Sequence, residues 1–76
     1  MTTRNHIRIA ACSEHLPHAR LLLASSLDIQ DTSIADAILP DQDEWSRMSY
    51  YQRVEKISEW MRAECFACVE DKEEAA

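Results

Sequence analysis

Glycine is absent from this chain of 76 residues, proline occurs only at positions 17 and 40, and the longest strongly apolar run is the four residues from Leu21 to Ala24. Each shortage closes off a class of protein. Glycine is the residue that reaches positive φ at least cost, so phosphate-cradling glycine loops and tight glycine hairpins are excluded. A bilayer span needs about 20 consecutive apolar residues, so no membrane helix is expected. The opening dozen residues alternate charged and apolar groups instead of building a signal-peptide core, which reads as a soluble cytoplasmic protein. Three cysteines, an odd number, argue in that compartment for thiols over a disulfide framework.

What is present is a small, thinly cored, acidic chain. Apolar residues make up 46% of it, but many of them are alanines. At this length folding buries only about 60% of the surface of the unfolded chain, so close helix packing, a staple or a partner is needed for stability. Acids outnumber bases 14 to 8, for a formal charge of −6. Their distribution is uneven. Asp28, Asp31, Asp36, Asp41, Asp43 and Glu44 fall in a stretch, residues 28–46, that contains no Lys or Arg at all. Such a stretch repels nucleic-acid phosphates and attracts basic surfaces, although acids also cap helices and keep small proteins soluble.

The clearest element lies near the C-terminus. Ser49 and Gln52 have capping-box spacing, and Tyr50, Val54, Ile57, Met61, Cys65 and Cys68 then recur every three or four residues. This spacing predicts one long helix from about Tyr50 to Asp71, with Tyr51, Trp60 and Phe66 flanking the apolar stripe. Arg53, Glu55, Lys56, Glu59 and Arg62 are assigned to its wet face. Upstream, Asp41 and Glu44 cap a short turn carrying Trp45 and Met48 after Pro40 ends the preceding element. A helix through Ile34–Leu39 is expected before that, and another opened by Pro17 with Leu16, Ala19, Leu23 and Leu27 on one face. Residues 4–12 allow either helix or strand, and helix is favoured because nothing later in the chain offers a pairing strand. The fold class is therefore all-α, a small bundle of three to four helices with a long C-terminal helix. It forms a single domain over residues 1–71, with a frayed acidic tail at 72–76.

Three partial likenesses bear on function. The segment ASSLDIQDTSIADAI, Ala24 to Ile38, resembles a helix-turn-helix, with Ala24, Leu27 and Ile29 in the first helix and turn and Ile34 and Ile38 packing from the second. It departs from that motif where Asp28 stands in place of the usual glycine, and where Asp31 and Asp36 occupy the helix that would read DNA. Arg4, His6 and Arg8 alternating with Ile7 and Ile9 resemble the ribbon of a dimeric ribbon-helix-helix repressor. Either likeness implies a small DNA-binding transcription regulator as an alternative function. In size, acidity and lack of a catalytic motif, the chain is similar in general character to phage-encoded inhibitors of the anti-CRISPR type. That resemblance implies a protein partner with a basic surface, in an RNA-guided or DNA-binding complex, and no cofactor.

The candidate partner-binding residues are Asp28, Asp31, Asp36, Asp41, Asp43 and Glu44, with Trp45, Tyr50 and Tyr51 as aromatic anchors. Rings of this kind are enriched at interface hot spots, and core packing is their other use. A homodimer is compatible with the projecting C-terminal helix. A zinc-stabilised module is the remaining alternative: Cys12, His15, Cys65 and Cys68 are ligand types for a tetrahedral site. Cysteine is equally a small core residue, and Cys65-x-x-Cys68 lies inside the predicted helix rather than on a knuckle. His6, His15 and His18 crowd near Cys12, Ser13 and Glu14, but no oxyanion-forming glycine turn accompanies them, so no enzymatic activity is expected.

Overall fold

Helices in a chain without glycine must be started and stopped by side chains, and that is how this fold is built. A computed structural model of the protein describes residues 3–64, which form α1 (Thr3–Ala11), α2 (Leu16–Ser26), α3 (Ser33–Ile38), α4 (Gln42–Arg47) and α5 (Tyr50–Ala63). The protein is all-α across these residues. The expected three to four helices become five, because residues 4–11 settle as helix and the short turn carrying Trp45 closes into α4. Residues 65–76 lie outside the described residues. The expected extension of α5 to Asp71 and the acidic tail at 72–76 fall there.

In α1, Ile7, Ala10 and Ala11 are buried while Asn5, Arg8 and Ile9 face water. Ile7 and Ile9 therefore do not share a face. A helix turns them about 200° apart, and the apparent alternation of residues 4–9 conceals an i, i+3, i+4 stripe. No strand occurs among the described residues, so the extended ribbon that the alternation allowed is absent from them.

Helix α2 begins with Pro17 in its first turn and buries Leu16, Ala19 and Leu23. Its Ncap residue, His15, supplies no side-chain hydrogen bond. The cap comes from α4 instead: the Leu16 N–H donates to Gln42 Oε1 at 2.7 Å, and Gln42 Nε2 donates to the Glu14 carbonyl at 3.0 Å. Twenty-six residues downstream, one amide side chain thus satisfies a helix start and pins the linker leading to it. The other end of α2 closes as a Schellman turn. The Ile29 N–H donates to the Ala24 carbonyl at 2.8 Å, which requires the intervening Asp28 to take a left-handed conformation, φ 57°. Aspartate tolerates this region better than most residues but less well than glycine.

The starts of α4 and α5 are locally capped. Asp41 Oδ1 accepts from the Glu44 N–H at 2.8 Å, and Ser49 and Gln52 exchange the two bonds of the capping box at 3.2 and 2.9 Å. The packing is then simple. Helix α1 lies against both α2 and α5, α3 packs on α5, and α2 touches α4. Trp45, Trp60, Ile7, Leu23, Ile57 and Met61 fill the centre, with alanines 10, 11, 19 and 35 where helices approach closely. On α5 the buried stripe runs through Arg53, Ile57, Trp60 and Met61. It is rotated from the expected one, taking in Trp60 and leaving Tyr50 exposed.

The strained position at Asp28 yields a direct test. Asp28→Gly relieves the left-handed conformation and stabilises the domain by about 1 kcal/mol, raising Tm by about 4–8 °C. A lower Tm in a thermal melt would mean that the aspartate side chain contributes more than the backbone relief.

Candidate functional site

The mid-chain acids are base-free in sequence but not in space. Arg20, from α2, reaches across the turn and forms an ion pair with Asp36 while donating to Thr32 Oγ1 at 3.3 Å. Asp31 Oδ1 accepts the Ser33 N–H at 3.0 Å at the start of α3. This bond holds the Asp31 carboxyl below its ordinary value of 3.8, the backbone donor being the largest cause and the Ser33 side chain the next. Asp41 is the cap of α4. Three of the six carboxylates are therefore engaged within the chain. Asp28, at the end of α2, and Asp43 and Glu44, in the first turn of α4, remain in water.

The aromatic residues also separate. Trp45 is fully buried, and its Nε1 donates to the Ser13 carbonyl at 2.9 Å, so this ring belongs to the core and presents no anchor to a partner. Tyr51 is 79% exposed, and Tyr50 meets it edge to face with centroids 5.2 Å apart. These two remain the surface aromatics of the predicted set.

Arg53, assigned from sequence to the wet face of α5, is instead 5% exposed. Its guanidinium lies over the Trp45 ring, 5.1 Å from the centroid. Nε donates to the Trp45 carbonyl at 3.0 Å, Nη1 to the carbonyls of Ala11 and Ser13 at 3.3 and 3.4 Å, and Nη2 to Glu14 Oε1 at 3.2 Å. This one side chain joins the C-terminal end of α1, the linker after it, and α4 to α5. It thereby fixes how α4 sits beside α5.

Between those two helices lies an open groove of about 300 Å³ lined by Glu44, Met48, Gln52, Glu55, Lys56 and Glu59. Of the predicted partner-binding residues only Glu44 lies in it. Sequence reasoning had assigned Glu55, Lys56 and Glu59 to solvent without recognising a site. Positions 52, 55, 56 and 59 do share one face of a helix, and that spacing was the available signal. Met48, at the α4–α5 junction, is half-buried against the core. Lys56 Nζ lies 3.5 Å from Glu59 Oε1, whereas Glu44 and Glu55 have no ion-pair partner among the described residues.

For metal chemistry, Cys12 is exposed at the end of α1 and His15 is exposed at the start of α2. Cys65 and Cys68 lie outside the described residues. Among the described residues no three His, Cys, Asp or Glu side chains are grouped to hold an ion. Comparison with family models, curated proteins and solved structures finds no match to this chain.

Two measurements follow. Replacing Arg53 by Met removes the fork, takes from the Ala11 carbonyl its donor and leaves those of Ser13 and Trp45 with one each, which lowers stability by about 3 kcal/mol in urea unfolding. Arg53→Lys keeps the charge but not the planar fork and costs about 2 kcal/mol. A change of less than about 0.5 kcal/mol for the lysine variant would show that charge alone suffices. For Asp31, a lowered folded-state pKa gives a stabilisation that is present above 3.8 and lost as pH falls through the folded-state value. An NMR titration of its carboxyl carbon places the midpoint below 3.8. A midpoint at or above that value would mean that the Ser33 bond is not formed in solution.

Proposed function

We propose that this protein is a non-enzymatic binding module, an inhibitor that occupies a basic nucleic-acid-binding surface of a host complex in the anti-CRISPR manner. The observation that carries the reading is a set of exposed carboxylates that the chain's own bases do not pair. Arg20 takes Asp36 and Arg53 takes Glu14, yet Asp28, Asp43, Glu44 and Glu55 face water with no ion-pair partner among the described residues. Charges arranged this way steer encounter with a positive surface and repel phosphate backbones, which favours a protein partner over nucleic acid. The helix-turn-helix likeness gains little from the geometry. The helix that would enter a groove in DNA carries Asp36 and is preceded by Asp31, and the arginine that reaches it, Arg20, is already held by Asp36.

The test is capture of the partner by the immobilised protein, quantified at 50 and 500 mM salt. Asp36 and Asp41 are unsuitable for charge reversal because each also holds the fold together. The double variant Asp43→Lys, Glu44→Lys leaves the core untouched and weakens partner binding about tenfold or more, with the remaining affinity less sensitive to salt. Affinity unchanged by both salt and charge reversal would remove the electrostatic basis of the proposal. Tight binding of mixed-sequence duplex DNA at low salt would favour the transcription regulator.

A further inference from the structure

Resting on that reading, we infer that the groove between α4 and α5 is the contact itself, and that its occupant is a cationic amphipathic helical segment of the partner. That segment inserts a long apolar side chain against Met48, with Lys or Arg on either side. The groove has two properties that an acidic patch alone lacks. It is concave, and its interior combines the thioether of Met48 with the aliphatic stems of Gln52, Glu55 and Lys56, so it offers apolar surface between charged ends. Its rim carries three carboxylates, Glu44, Glu55 and Glu59, against one ammonium, and that ammonium is already held by Glu59.

Each alternative occupant fits less well. A volume of about 300 Å³ is at the small end for an enclosed small-molecule site, and this one is open to solvent. It suits one or two inserted side chains. A phosphate backbone would meet the carboxylates of Glu44 and Glu55, while the one cation lining the groove, Lys56, is already held by Glu59. A metal ion lacks a suitable cluster among the described residues. Methionine is the side chain best able to reshape around an incoming apolar group, and grooves that take amphipathic helices use this adaptability together with an acidic rim.

The experiment uses the full chain and two synthetic peptides of equal length and equal lysine content. One is a Lys/Leu sequence with helical amphipathic spacing, and in the other every Leu is replaced by Ser. Binding is read by calorimetry at 50 mM salt. The Lys/Leu peptide is expected to bind at least tenfold more tightly than the Lys/Ser peptide. Glu55→Gln together with Glu44→Gln weakens the Lys/Leu peptide at least fivefold, whereas Glu64→Gln, outside the groove and still able to accept from Trp60 Nε1, leaves it unchanged. Met48→Ser reduces the preference between the two peptides, and the glutamine pair keeps the test informative if that variant is poorly folded. Equal binding of both peptides, or equal weakening by Glu64→Gln and the glutamine pair, overturns the groove assignment while leaving the broader acidic-surface reading intact. Failure of both peptides to bind at low salt overturns the two together.

Discussion

A single buried guanidinium, that of Arg53, is the interaction around which the helices of this domain are arranged. Removing a charge from water is costly, and its partner Glu14 is 76% exposed, so that ion pair alone cannot offset the cost. The offset comes from backbone. The carbonyls of Ala11 and Ser13, at and just beyond the end of α1, and the carbonyl of Trp45, in the last turns of α4, converge on the fork. These are the negative ends of two helix dipoles. The Trp45 ring beneath the guanidinium adds a cation–π contact. Nine- and six-residue helices are too short to persist alone in water. Here α1 and α4 share one capping cation supplied by α5, so their ends are tied to the most extended helix in the described residues.

The absence of glycine makes the acids part of the architecture. Turns that other proteins close with glycine are closed here by Asp28 in the left-handed region, by an Asp31 carboxylate on a backbone N–H, by Asp41 as a cap, and by Gln42 reaching from α4 to the start of α2. Aspartate recurs because its short carboxylate accepts from backbone donors at the start of a helix and tolerates positive φ at the end of one. Negative charge in the middle of the chain is in part a by-product of punctuating three short elements with the residue best suited to do so.

This also explains what could be read in advance. The Ser49–Gln52 capping box, the Asp41 start and the Leu16, Ala19, Leu23 face of α2 depend only on residues within a turn or two of each other, and all three appear where expected. The all-α class followed from the same local signals. Arg53 was misplaced because its burial depends on carbonyls up to 42 residues away that no periodicity encodes. Trp45 was taken for a surface anchor for the same reason: its polar partner, the Ser13 carbonyl, lies 32 residues upstream. The groove was invisible because it exists only when α4 and α5 are set side by side. Its α5 residues share a helix face, but nothing local indicates that Glu44 and Met48 will complete it.

The division of the carboxylates into structural and unengaged sets sharpens what the surface can do. An acid that caps a helix or pairs with an arginine of its own chain contributes little net field beyond its immediate partner, because the neighbouring positive or partly positive group cancels it at a distance comparable to the Debye length, about 8–10 Å in physiological salt. The far field of the domain is set by the acids left without partners. In α4 and α5 those are Asp43, Glu44 and Glu55, two of them on the rim of the same concavity. The lining set of that concavity places Met48 among these acids, so the same surface combines negative charge with an apolar, deformable side chain. Arg53 and Trp45 hold α4 against α5 at that point, and a contact made there is pre-organised by the same bonds that stabilise the fold, so a partner entering the groove need not order it first.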